Sequence, residues 1–248
     1  MTAARPPLLE VAGLSRHFGG LAALDGVSFT VAKGEVVGLI GPNGSGKTTL
    51  LNVVSGRLAP LAGDVRFNAT PITGATPEAV CRAGIAGTFQ LARIPDALDA
   101  RDNVAVAAMY GRRRLDVAAA RAEAERLLAR VGFEGALAAH ADALPYFDLK
   151  RIELARALAC APDLLLLDEW LAGLNPTELK TGIDLIGQIP GDGITIVMIE
   201  HVMEAIRALC DRVVVMNAGE RIAEGTPDRV LSDARVMRAY LGADDAAA

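Results

Sequence analysis

Gly41-Pro42-Asn43-Gly44-Ser45-Gly46-Lys47-Thr48 places three glycines, a lysine and a hydroxyl residue at the spacing that lets main-chain N–H groups close around a polyphosphate. Glycine at 41, 44 and 46 removes the Cβ atoms that would hold phosphate away from the backbone. An apolar run, Glu35–Ile40, leads into this loop, and a helical pattern from Thr48 to Ser55 leaves it, with Gly56 as a stop. Free N–H groups and the positive end of that helix face the anion. Lys47 is expected to reach the β- and γ-phosphates and the Thr48 hydroxyl to help hold Mg²⁺. Pro42, Asn43, Ser45 and Thr49 complete the nucleotide-binding set. A second group, Asp168-Glu169, ends the apolar run Leu164–Leu167, where open α/β sheets bind ligands. Asp168 suits the Mg²⁺-linked position, and Glu169 suits polarisation of the attacking water. His201 follows the run ITIVMIE and is placed either as a γ-phosphate contact or as an ordinary helix cap. Gln90, after IAGTF, is a polar residue at a strand end and takes no role from its position alone.

These residues need an alternating framework. Strand patterns fall near 8–18 and 24–31, then at Glu35–Ile40, Asp64–Phe67, Ile85–Phe89, Leu164–Leu167, Ile194–Ile199 and Arg212–Met216; helical patterns fall at 149–160, 177–188 and 202–209. The order predicts an α/β fold with a mostly parallel sheet. DNVAVAAMY and VAAARAEAERLLARV break the alternation, which places a helical subdomain at about 91–160 between core segments 1–90 and 161–248; the tail 243–248 is expected to fray.

Composition narrows the function. A net charge of −5 and only 4% aromatic residues exclude a general nucleic-acid binder and its stacking platforms. The one dense basic run, Arg112-Arg113-Arg114, reads as a solvated loop. Cys81, Cys160 and Cys210 are scattered and match no zinc spacing, so they read as buried thiols in a reducing compartment. No signal-peptide pattern opens the sequence, and no run approaches 18 apolar residues; any membrane role must come through a partner.

Together these motifs resemble the ATPase subunits of ABC transporters over nearly the whole chain, with the phosphate loop, Gln90, a helical subdomain, Asp168-Glu169, the turn Ala172–Asn175 and His201 in order. FGGLAALDGVSF, GTFQLARIP, ALPY with RIELARALA, AGLNPTE, IEHVMEAI and AYLG are similar to one branch, the importers of branched-chain and other hydrophobic amino acids. The resemblance implies a P-loop NTPase core of ABC type with an antiparallel β-rich edge and an inserted helical subdomain. It implies ATP and Mg²⁺, Phe18 stacking on adenine where Phe18 alone would read as core, and Gln90 beside the metal and the catalytic group Lys47, Glu169 and His201. It implies transmembrane permease subunits touched by the helical subdomain and the Gln90 loop, a second ATPase chain, and indirectly a solute-binding protein. The expected place is the cytoplasmic face of the cell (inner) membrane, held peripherally. A non-transport ABC ATPase and a regulatory subunit with weak turnover are the alternatives.

Two departures stand out. Where the family has Leu-Ser-Gly-Gly-Gln, or Pro-Tyr-Gly-Gln in this branch, the chain has Leu144-Pro145-Tyr146-Phe147-Asp148 and no glycine. Phe147 is expected to add bulk where backbone meets phosphate, and Pro145 has no N–H to donate. Asp148 is expected to cap a helix beginning near Leu149, with repulsion of roughly 4 kcal/mol if it lay about 4 Å from a phosphate charge. A second, different ATPase subunit is therefore expected to complete a competent site. Trp170 replaces the proline that usually follows Asp-Glu, and either loosens the backbone beside Glu169 or packs against the neighbouring subdomain. Asn175 matches the branch.

Overall fold

A computed structural model describes residues 7–88 and 94–241. In chain order the strands and helices are β1 (Pro7–Phe18), β2 (Leu21–Ala32), β3 (Val36–Ile40), α1 (Lys47–Val54), β4 (Ala62–Phe67), β5 (Thr70–Pro71), α2 (Pro77–Ala83), β6 (Ile85–Gly87), α3 (Ala100–Tyr110), α4 (Val117–Arg130), α5 (Tyr146–Ala159), β7 (Leu164–Asp168), α6 (Pro176–Gln188), β8 (Thr195–Ile199), α7 (Met203–Leu209), β9 (Arg212–Asn217), β10 (Glu220–Gly225), α8 (Pro227–Leu231) and α9 (Ala234–Leu241).

Two sheets organise them. One is antiparallel, in the order β2-β1-β4-β5; the other runs β10-β9-β3-β8-β7-β6, parallel throughout except for β10. The parallel strands are short apolar runs because both faces are covered. Alternation sorts their side chains: Val37, Leu39, Leu164, Leu166, Val197, Ile199, Val214 and Met216 enter one core with β1, β2, β4 and α1. Val36, Ile40, Leu165, Leu167, Ile196, Met198, Val213 and Val215 enter the opposite core with the helices. Within that second core α3, α4 and α5 share Val104, Ala108, Ala124, Leu127, Leu128 and Leu154.

Several elements lay outside the sequence reading. Helix α2 is capped by Thr76, whose hydroxyl accepts the Ala79 N–H at 3.3 Å, but its short polar face gave no periodic signal. β10, α8 and α9 were also missed; they are short or largely exposed. The Arg112–Arg114 run does sit in a loop, with Arg112 on Asp163 at 2.7 Å and Arg113 on Glu123 at 3.0 Å.

The segment 144–148 corrects three expectations. Helix α5 starts at Tyr146 rather than near Leu149, because Pro145, with φ −59°, stands at its N-cap and the helix extends from there. Asp148 is therefore not the cap: it lies inside the first turn, and its carboxylate accepts from Arg151 Nη1 at 3.0 Å, one turn on. Phe147 does not stand out as bulk in a loop but is buried, its ring tilted against Trp170 at 6.3 Å. Trp170 is fully buried and donates its indole N–H to the Lys150 carbonyl at 3.0 Å, which supports packing over loosening. The cysteine expectation holds for Cys210 and fails for the other two: Cys81 and Cys160 are half-buried and lie side by side.

Candidate functional site

The loop after β3 is shaped by what surrounds it. A Cβ at Gly41 would meet the Met216 carbonyl at 2.0 Å, and one at Gly46 would meet the Ala23 carbonyl at 2.2 Å. Gly41, Gly44 and Gly46 have φ of 146°, 78° and 102°, so both backbone angle and space demand glycine at 41 and 46. At Gly44 nothing lies within 4 Å of the Cβ direction, so the loop is open on that side. Gly46 serves as the N-cap position of α1 without a side-chain cap, which leaves the first-turn N–H groups facing the cleft.

A cleft of about 580 Å³ is lined by Phe18, Leu21, Ala23, the stretch Asn43 to Thr49, Glu169 and His201. The two ends come from distant parts of the chain. Phe18 and Leu21 face each other across the Gly19-Gly20 turn of the β1–β2 hairpin, and both rings and branches remain exposed there. The Arg16 guanidinium lies 5.1 Å from the Phe18 ring centre. This apolar rim suits a planar base. Leu21 was missed because a lone exposed leucine carries no sequence signal.

At the other end Lys47 is buried, and its ammonium donates to the Gly41 and Pro42 carbonyls at 2.8 and 2.9 Å. Burial lowers the Lys47 pKa, while the carboxylates of Glu169 and Asp168 pull it back up. Asp168 ends β7, its N–H donating to the Thr88 hydroxyl at 3.3 Å. Desolvation, with repulsion from Glu169 next, raises its pKa to about 6, which leaves it mostly ionised at neutral pH. Among the described residues, buried Asp168 Oδ1 and Ser45 Oγ have no hydrogen-bond partner. An orphaned buried carboxylate oxygen beside a lysine and a phosphate loop fits a hard divalent cation. No group of three His, Cys, Asp or Glu among the described residues could hold a metal unaided. A magnesium ion here would take Asp168 and Thr48, with phosphate oxygens and water completing its shell.

Glu169 has φ 50°, a left-handed angle that costs a glutamate about 1–2 kcal/mol. Its N–H is tied to the Ile199 carbonyl at 2.9 Å, across β8. The turn aims its carboxylate at His201, with Oε1 2.6 Å from Nε2. Beneath it, buried Glu200 accepts the Leu171 N–H at 2.8 Å, and desolvation raises its pKa to about 7. Glu200 was not singled out by the sequence because it closes an apolar run and reads as a strand end. Tyr240 was also missed as a site neighbour: α9 returns to the loop beside Gly41, and burial raises the Tyr240 pKa. Gln90 lies outside the described residues.

The Ala172–Asn175 turn links the site to the helices. Asn175 accepts the Thr177 and Glu178 N–H groups at 3.0 Å, and Glu178 returns the bond to the Asn175 N–H, a complete capping box for α6. The Tyr146 ring at the start of α5 lies against Gly173.

Comparisons with known proteins agree with this arrangement. A family model described as "ABC transporter" matches residues 24–172, and one described as "Branched-chain amino acid ATP-binding cassette transporter" matches 220–246. The chain is 36% identical over 250 residues to the high-affinity branched-chain amino acid transport ATP-binding protein LivG of Salmonella typhimurium, covering 95% of this chain and 98% of that one. It is 35% identical over 253 residues to the corresponding protein BraF of Pseudomonas aeruginosa, with the same coverage. Among solved structures, an ATP-binding cassette of an ABC transporter in its ADP conformation superposes with a TM-score of 0.83 at 30% identity, over 96% of this chain and 99% of that one. A nucleotide-free cassette superposes at 0.84 and 29% identity, over 96% and 100%.

Proposed function

The chain belongs to the ABC transporter ATP-binding family, and from that premise we propose that it is the ATP-hydrolysing subunit of an importer for branched-chain or other hydrophobic amino acids. The observation that carries the proposal is the single cleft that joins the Gly41–Thr48 loop to the Glu169–His201 pair. ATP would lie with adenine on the Phe18–Leu21 rim and its phosphates along the loop N–H groups. Lys47 would leave the Gly41 and Pro42 carbonyls for the β- and γ-phosphates and stabilise charge as it develops. Asp168, Thr48 and Gln90 would hold Mg²⁺, which supplies charge neutralisation across the phosphates when bound. Glu169 would orient the attacking water and draw its proton, and His201 would hold Glu169 in place and contact the γ-phosphate.

The chain would act peripherally on the cytoplasmic face of the inner membrane. Among the described residues no helix is long and apolar enough to cross a membrane, so transmembrane permease subunits would be separate chains. They would dock on the helical subdomain, 91–160, and on the Gln90 segment, while the segments 1–90 and 161–248 would supply the nucleotide-binding core. A separate solute-binding protein would deliver the amino acid.

The missing signature glycines support work beside a second, different ATPase chain. Pairing of Asp148 with Arg151 removes part of the expected repulsion, but Pro145 still lacks an N–H and no glycine stands at 144–148. Reconstitution of the chain with its permeases, companion ATPase and binding protein in liposomes tests the function. ATP-driven leucine uptake that Lys47→Ala abolishes is the expected result. Brisk ATP turnover without accumulation of any apolar amino acid would overturn the assigned solute class.

A further inference from the structure

Away from the nucleotide cleft, the fold brings two thiols together. Cys81 lies in the last turn of α2, and Cys160 is the residue at which α5 ends. Each thiol perturbs the protonation of the other, so the two side chains are neighbours. Both line a second cleft, of about 180 Å³, together with Ser55, Arg57, Glu153 and Arg156, and both are half-buried. Cys210 differs: it is buried behind Gly38, where a Cβ would meet its sulfur at 2.9 Å.

The pair is chemically unequal. The neighbouring Cys160 thiol brings the Cys81 pKa down to about 7, with the Arg82 charge adding to the effect against burial. The same contact and burial push the Cys160 thiol up. The Arg82 charge beside Cys81 favours its thiolate, so Cys81 is the attacking partner.

We propose that Cys81 and Cys160 form a thiol–disulfide exchange site that takes small-molecule disulfides from the second cleft and closes into a Cys81–Cys160 disulfide joining α2 to the end of α5. In the first step the Cys81 thiolate attacks one sulfur of R–S–S–R, forming Cys81–S–S–R and releasing RS⁻. Cys160 then gives up its proton to that thiolate and attacks the Cys81 sulfur, expelling the second RS⁻ as the intramolecular disulfide forms. Two protein thiols are oxidised, one small disulfide is reduced to two thiols, and excess thiol runs the sequence backward. Both thiols line the same cleft, which is the placement such a bond starts from.

The full-length protein, treated under native conditions at pH 7 with the aromatic disulfide 5,5′-dithiobis(2-nitrobenzoate), tests this. The wild type is expected to release both aromatic thiols of the reagent and to end about 2 Da lighter with no adduct, its Cys81 and Cys160 peptides linked. Cys160→Ser should stop at a stable mixed disulfide on Cys81 after one release. Cys81→Ser should react at least about ten-fold more slowly, because the low-pKa thiol is gone. A lasting adduct on wild-type Cys81, or Cys81→Ser reacting at the wild-type rate, would overturn the proposal. Should either serine variant fail to fold, the wild-type peptide map decides alone: a Cys81–Cys160 link supports the site, and its absence after complete reagent consumption removes it.

Discussion

Glu169 is where backbone, charge and chemistry meet. Its left-handed φ is retained because the N–H is fixed to Ile199 and the carboxylate to His201. Replacement with glutamine keeps the shape and removes the proton-accepting charge. Glu169→Gln is therefore expected to bind ATP as wild type does while turnover falls about 10²-fold or more, measured by fluorescent-nucleotide titration beside phosphate release. Near-normal turnover would take Glu169 out of this role. Glu200, the residue before His201, adds a pH dependence of stability. Its folded pKa of about 7 stands above the ordinary 4.5, so the folded chain holds the proton more tightly than the unfolded one. Ionisation then opposes folding: the cost is absent below about pH 4.5, grows as pH rises, and is complete above about 7. Glu200→Gln should leave stability unchanged near pH 4 and raise it by roughly 3 kcal/mol near pH 8 in urea denaturation. Equal stability of the two proteins across that range would show that Glu200 is not held in this environment.

Helix α5 is the element on which the unusual residues converge. Phe147 and Trp170 stand where the family pattern has a glycine and a proline, and their buried rings pack tilted against each other. The indole bond to the Lys150 carbonyl and the close approach of Gly182 on α6 lock that layer. Trp170→Ala is expected to lower stability by about 3–5 kcal/mol, because a cavity opens and a buried carbonyl loses its donor. A loss under about 1 kcal/mol in denaturant unfolding would show that the two rings do not act as one packing unit. The start of α5 was misplaced by sequence because Asp148 offered a familiar capping residue. Proline at 145 already sets the entry angle, and Arg151 one turn on gives Asp148 a better partner.

For the whole molecule, the cleft contains a phosphate loop, Glu169 and His201 on one chain, whereas the glycine-free segment 144–148 lies at the head of a different helix. The isolated chain is expected to hydrolyse ATP at a small fraction, about a tenth or less, of the rate of a complex with a companion ATPase bearing intact glycines, since charge stabilisation at the γ-phosphate is left incomplete. Comparable rates for the chain alone, read by phosphate release, would end the case for a different companion. The phosphate loop, the Asp168-Glu169 strand end and the alternating α/β order were legible because each rests on contiguous residues, whereas His201 alone stayed open between a γ-phosphate contact and a helix cap. Sequence spacing alone could not place Leu21 beside Phe18, Tyr240 on Gly41, Cys81 against Cys160, or Phe147 against Trp170. Those pairs form only when crossovers bring distant segments together, and close packing then decides which side chain turns inward. Local sequence determined the phosphate-binding chemistry; the tertiary structure decided which residues surround it and where the altered signature places its bulk and charge.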